Sequence, residues 1–305
     1  MTPEINMRTY FLFLAVLLCL TSSFSRADDK DNVISSTINK LTSSIESGLN
    51  NIIGGEGDSE VSISTSGEDS KPTFSIMSVK PLSPHADDSA LFVQIQLSNL
   101  KVSGEDRLAG NLGLGKRNLS EDKNTIQGLN VFLDFDEEGN ARASIGLEFR
   151  RSAFEALANV YAGLSGATSV GTNTERVLDG TEISLVGEIP YLPWANIIYK
   201  NYKWEAEKNS KNSEGEKLSA ELTITPNLII EAGHDDNNIN GSNTFAKFLM
   251  VFPARERVSA STNLIGDTMF TSGDMSGELL SKVRRTNTMI IETEGTGVVI
   301  ARATE

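Results

Sequence analysis

The eight residues from Gly110 to Arg117, GNLGLGKR, fall one position short of a phosphate-cradling P-loop, in which glycine N–H groups, a lysine and a hydroxyl residue hold a nucleotide and its magnesium. Arg117 stands where that Ser or Thr is needed, and no helix follows the run, so its glycines read instead as room for a lumenal plug or a neighbouring strand. Asp134-Phe135-Asp136-Glu137-Glu138-Gly139 opens like a calcium loop, but Ile145 takes the place of the closing glutamate, and the reading is a solvated surface loop. His234-Asp235-Asp236-Asn237-Asn238 offers oxygens to a divalent ion and likewise reads as a polar loop. His85 and His234, the two histidines, lie in no nucleophile motif, so a Ser-His-acid hydrolase would have to recruit one of two loop positions. Cys19, the single cysteine, lies in a leader segment, which leaves the mature chain without thiol chemistry. The expectation is a protein with no enzymatic activity, no cofactor and no bound metal.

The elements that would carry these residues are more informative than the residues. From Glu60 to Phe252 the chain divides into about twelve segments of roughly ten residues, apolar at every second position and separated by turn formers. In the segment 141–151, Ala141, Ala143, Ile145, Leu147 and Phe149 share one face of a strand, and Arg142, Ser144, Glu148 and Arg150 share the other. One face suits lipid and the other water. Lys217 to Thr225 repeats the pattern, with Leu218, Ala220, Leu222 and Ile224 opposite Lys217, Ser219, Glu221 and Thr223. The fold expected is all-β, an antiparallel transmembrane β-barrel of about twelve strands. Strands are expected over 58–66, 72–82, 88–100, 106–118, 124–136, 141–151, 154–165, 179–190, 195–206, 216–226, 228–235 and 243–252.

Phase assigns the charges. Arg142, Glu148, Arg150, Glu155, Glu182, Glu188, Lys217 and Glu221 are placed toward the lumen, a set of mixed sign that can pair across it or with Lys282, Arg284 and Arg285 of the tail. The long polar links Ser165 to Asp179, Ala206 to Gly215 and Asp235 to Ser242 fall at one end of such a meander. Tight turns at Ser152, Leu192-Pro193 and Pro226-Asn227 fall at the other, as in outer-membrane barrels. Trp194 and Trp204 bracket the ninth strand at the separation expected of two interfacial aromatic girdles.

Outside the barrel, residues 1–27 read as a secretory signal peptide, with Arg8, the apolar run Phe11 to Leu20 and the small-residue site before Ala27. Residues 28–56 hold an amphipathic helix expected in the periplasm, with apolar residues from Val33 to Ile53 in steps of three and four. The barrel occupies 57–253. Residues 254–305 form a linker or plug, in which Glu294-Gly295-Thr296-Gly297 suggests a short hairpin. A net charge of −14 argues against a nucleic-acid partner, because phosphates need a basic face.

Four stretches carry a resemblance to a known family. SALFVQIQLS from Ser89, RLAGNLGLGKRNLSEDKNTIQGLNVFLDFD from Arg107, ARASIGLEFRRSAFEALANVYAGLSG from Ala141 and DGTEISLVGEIPYLPWANIIYKNYKWEA from Asp179 resemble, in order, the strands of the inverse autotransporter β-domain of intimin and invasin. SKVRRTNTMIIE from Ser281 resembles the linker after that barrel. The resemblance implies a monomeric outer-membrane barrel whose linker passes through the pore and exports an adhesive passenger. Its partners would be outer-membrane lipid, the barrel-insertion machinery, periplasmic chaperones and a host or neighbouring-cell surface. The sequence departs from the family in carrying neither the immunoglobulin-like domains expected after the linker nor a peptidoglycan-binding module before the barrel. The rival expectation is a small pore with a lumenal plug.

Overall fold

The computed structural model describes residues 57–66, 72–82, 88–102, 105–252 and 258–294. Leader and amphipathic-helix readings lie outside the described residues.

Twelve strands form a closed antiparallel barrel. In chain order they are β1 (Ser59–Ser66), β2 (Thr73–Pro81), β3 (Ser89–Val102), β4 (Glu105–Leu119), β5 (Thr125–Asp136), β6 (Ala141–Arg151), β7 (Phe154–Gly163), β10 (Asp179–Ile189), β11 (Leu192–Glu205), β12 (Ser213–Thr225), β13 (Leu228–Asn237) and β14 (Gly241–Phe252). Each pairs with its neighbours along the chain, and β1 closes the ring on β14 from Ser59↔Phe252 to Ser66↔Phe245. Closure removes the unpaired edge that an open sheet would present to lipid.

Alternation survives in three dimensions. On β6, Arg142, Ser144, Glu148 and Arg150 are buried in the interior while Ile145, Leu147 and Phe149 are exposed outward. Val160, Ile183, Leu185, Ile197, Leu218, Phe248 and Met250 continue that exposed apolar belt around the ring. In water such a belt would be unstable; against hydrocarbon it is the face a barrel needs.

The structure departs from the sequence reading in the link between β7 and β10. A small hairpin stands there, β8 (Thr168–Val170) and β9 (Asn173–Val177), and β15 (Ile291–Glu294) of the tail adds to it as a third strand. Ile291, the end of the first apolar run of the expected tail hairpin, thus pairs with a barrel loop together with the residues up to Glu294, and the second apolar run of that hairpin lies outside the described residues. Strand β13 also runs on past the expected 235 to Asn237, so His234, Asp235, Asp236 and Asn237 of the polar-loop reading lie in a strand.

Candidate functional site

Because the number of strands is even, β14 ends at the rim where β1 begins, beside the short turns. From there the tail runs along the rim and then up through the interior. Ala260 and Ser261 donate N–H bonds to the carbonyls of Thr223 and Ile224, Gly273 meets Ser152 at 3.2 Å, and the N–H of Met275 reaches the Lys123 carbonyl at 2.8 Å. Asp274 anchors the entry. The hydroxyl and N–H of Ser276 hold its carboxyl below the ordinary carboxylate range, and Lys123 lies 3.7 Å away.

Inside, the wall grips the tail in part by its backbone. The Arg117 guanidinium donates to the carbonyls of Leu279 and Ser281 at 3.0 and 2.5 Å, Arg150 to that of Lys282 at 2.7 Å, and Arg142 to that of Thr286 at 2.7 Å. Asn111 reaches the Asn287 carbonyl at 2.8 Å, and Gln94 accepts the Val283 N–H at 2.8 Å. Beyond the short 3-10 turn Ser276–Glu278, a segment buried in a lumen has no strand partner for these groups, so wall side chains supply what a sheet otherwise would.

The tail answers with its own cations. Arg284 makes a two-pronged pair with Glu221 at 2.9 and 2.7 Å and reaches Glu155 at 3.2 Å. Arg285 does the same with Asp134 at 2.9 and 2.6 Å, and Lys282 meets Glu60 at 2.8 Å. Thr286 donates its N–H to the Tyr161 hydroxyl at 2.9 Å and its hydroxyl to Glu182, which Lys200 also approaches at 3.2 Å. Apolar packing adds to this: Met275, Leu279, Leu280 and Val283 join Val79, Phe92, Ile126 and Phe132 in one buried cluster. Each fully buried side chain of this kind is worth about 1.5–3 kcal/mol, so the tail is an integral part of the fold and not a loose thread.

The glycines of GNLGLGKR have their reason here. A Cβ on Gly113 would lie 2.2 Å from the Phe132 ring, and one on Gly115 would lie 2.3 Å from the Phe92 ring. The two rings fill those gaps, and the guanidinium of Arg285 sits 4.3 Å from the Phe132 centroid while that of Arg117 sits 4.5 Å from the Phe92 centroid. The glycines therefore shape aromatic seats for one wall cation, Arg117, and one tail cation, Arg285.

At the far rim the tail is clasped. Leu178 N–H reaches the Ile290 carbonyl at 2.9 Å, β15 pairs with β9, and the Glu292 carboxylate accepts backbone N–H groups from Glu207, Lys208 and Asn209 at 2.6–3.1 Å as well as the side-chain amide of Asn209. Arg107 and Glu175 brace the β7–β10 link with paired bonds of 2.6 Å.

All eight charges assigned to the lumen point inward. Arg142, Arg150 and Glu148 belong to the wall network around the tail. Glu155, Glu182 and Glu221 bind tail side chains, Glu188 accepts the Thr271 N–H at 2.9 Å, and Lys217 lies 3.9 Å over the Phe245 ring. The girdle assignment of Trp204 is corrected. It is 2% exposed and packs inside the barrel against Tyr161 at 5.0 Å, with Leu178 and Ile290. Its phase is that of Lys200 and Tyr202, which line the lumen, and the two-residue period allows no other side. Trp194 donates its indole N–H to the Leu264 carbonyl at 3.0 Å, so it serves the tail at the short-turn rim.

The sequence reading missed Arg117, Asp134, Arg107 and Glu175. The first two lie in runs weighed as nucleotide and calcium motifs, yet both share the inward phase of their strands. Among the described residues no group of three or more His, Cys, Asp or Glu is placed to hold a metal ion. Asp235 instead accepts from the Tyr202 hydroxyl at 2.7 Å, and Asn237 caps the turn after β13.

The profile of the family described as "Inverse autotransporter, beta-domain" matches residues 20–287. The chain belongs to that family. As an inverse autotransporter β-domain it is a protein of the bacterial outer membrane, and the exposed apolar belt is its lipid face. A solved structure described as "Unveiling the Mechanism Behind the in-meso Crystallization of Membrane Proteins" is similar to this inverse autotransporter barrel at 20% identity and a TM-score of 0.62, over 78% of this chain and 100% of that one. That likeness shows a shared fold. The KdgM porin is similar at 5% identity and a TM-score of 0.42, over 63% of this chain and 98% of its own. Omp33 of Acinetobacter baumannii follows at 9% identity and 0.38, over 66% and 100%. No curated protein matches the sequence.

Proposed function

We propose that this inverse autotransporter barrel anchors and translocates its own C-terminal segment, entering it at the short-turn, periplasmic mouth and presenting it at the cell surface. The observation that carries the reading is the set of wall guanidiniums and amides on tail carbonyls. Arg117, Arg142, Arg150 and Asn111 bind groups that every residue possesses, so the same wall suits any extended segment moving past it. The side-chain pairs of Arg284 and Arg285 then supply the register at which movement stops. A wet, closed lumen lets peptide groups cross without the several kcal/mol each would cost in hydrocarbon.

In this reading the barrel works as a monomer and catalyses nothing. Its partners are outer-membrane lipid, the insertion machinery and periplasmic chaperones, and the surface-exposed end meets a host or neighbouring cell in adhesion.

A second reading, a small pore, is favoured by a cavity of about 370 Å³ beside the tail at the short-turn mouth, lined among others by Arg150, Glu155, Glu221, Lys282 and Arg284. Single-channel conductance of the barrel with and without residues 254–305 separates the two. A translocator closed by its tail conducts only after the cut; a pore conducts before it. Surface presentation has its own test, in which Ala303→Cys reacts with an impermeant reagent on intact cells. Labelling seen only after outer-membrane rupture refutes it.

A further inference from the structure

Not all of the tail is buried. Where it runs along the short-turn rim it is fastened to the β10–β11 turn by three hydrogen bonds. Gly266 N–H donates to the Tyr191 carbonyl at 2.8 Å, Tyr191 N–H donates to the Met269 carbonyl at 2.9 Å, and the Trp194 indole reaches the Leu264 carbonyl at 3.0 Å. Tyr191 holds a left-handed backbone (φ 62°) to make both of its bonds. So fixed, the segment turns its largest apolar side chains outward: Leu264 is 62% exposed, Ile265 69%, Met269 51% and Phe270 44%, with Tyr191 beside them at 50%.

Four large apolar groups on one loop, with Tyr191 of the adjoining turn beside them, are not what a surface bathed in water carries. The loop is tied to the turn joining β10 and β11, and the outward residues of those same strands, Ile183, Leu185 and Ile197, belong to the lipid-facing belt. It thus prolongs an apolar face already in hydrocarbon, and the turn it is tied to carries Tyr191, an aromatic residue with a polar tip of the kind that favours the headgroup boundary.

We propose that the rim loop 264–270 is a lipid-binding element that inserts Leu264, Ile265, Met269 and Phe270 into the phospholipid leaflet on the short-turn side. It would then pin the tail at the point just before it enters the lumen, where Thr271 meets Glu188. Insertion of this kind scales with apolar area and needs no specific headgroup. The inference rests on the outer-membrane setting and is independent of whether the tail is exported.

The test uses the full chain in phospholipid bilayers, with Cys19 replaced by serine and an environment-sensitive fluorophore on Ile265→Cys, Leu264→Cys, Leu185→Cys as a belt reference, or Thr172→Cys as an outer-loop reference. Folding of each variant is checked by heat-modifiable migration. Brominated phospholipids should quench the label at 264 and 265 to within about twofold of that at 185 and well above that at 172, as expected for side chains at the acyl boundary. Quenching at both 264 and 265 no greater than at 172 overturns the proposal, and because no other protein is present, it would leave a protein partner as the occupant.

Discussion

Arg285 and Asp134, 151 residues apart in the chain, join tail to wall inside the lumen with two parallel N–H···O bonds of 2.9 and 2.6 Å, and neither side chain touches solvent. Arg142 completes the group at 2.8 Å from the same carboxylate. A bidentate pair in a fixed fork fixes direction as well as distance, which makes it the register mark of the tail.

Removing one member of that pair should loosen the tail before the barrel. Arg285→Ala is expected to cost about 3–5 kcal/mol of tail docking, as for a buried pair broken on one side. Limited proteolysis between 258 and 290 should accelerate while the barrel keeps its heat-modifiable migration. Combined with Asp134→Asn the two losses should be clearly less than additive; full additivity would show that the pair does not act as a unit.

The interior position of Trp204 makes a sharp prediction. Packed against Tyr161 and Ile290, Trp204→Ala should lower stability by about 3–5 kcal/mol, as for other buried aromatics cut to alanine. A Trp at a lipid interface would lose far less. Thermal unfolding in detergent followed by circular dichroism decides, and an unchanged midpoint would return Trp204 to the girdle.

Gly113 should tolerate no side chain while Phe132 lies over it. Gly113→Ala is expected to destabilise by roughly 1–3 kcal/mol, the usual cost of overpacking, and to displace Arg285 from its aromatic seat. Phe132→Leu in the same chain should restore part of the loss. If the double variant is no better than the sum of the two single ones, the gap over Gly113 is not what seats the ring.

At the outer rim, Glu292→Ala should release the Glu207–Asn209 amides without disturbing the entry at Ser152. Hydrogen exchange is the measurement. Faster exchange is expected at those three amides and at the β9–β15 bonds, with Met275 unchanged. Acceleration along the whole tail would mean that the far clasp holds the entire crossing.

The strands were legible because lipid and water impose a two-residue period that few other environments demand, and 141–150 and 217–225 show it most clearly. The inward charges followed from the same phase. Trp204 was misplaced because a spacing of ten residues from Trp194 fitted the girdle distance; counting back in twos to Tyr202 and Lys200 would have turned it inward. Arg117 and Asp134 were hidden by short motifs they happen to complete in part. The hairpin β8–β9 lay beyond local reading, since strands of three and five residues need partners distant in the chain, Arg107 on β4 and also β15, which the chain reaches more than a hundred residues later.

An even-stranded ring returns the polypeptide to its starting side, and the tail then traverses the membrane once more. Thirteen passages is an odd number. By parity alone, Glu294 and Ser59 lie on opposite sides of the bilayer, so a reporter fused behind one and a tag placed before the other would occupy different compartments.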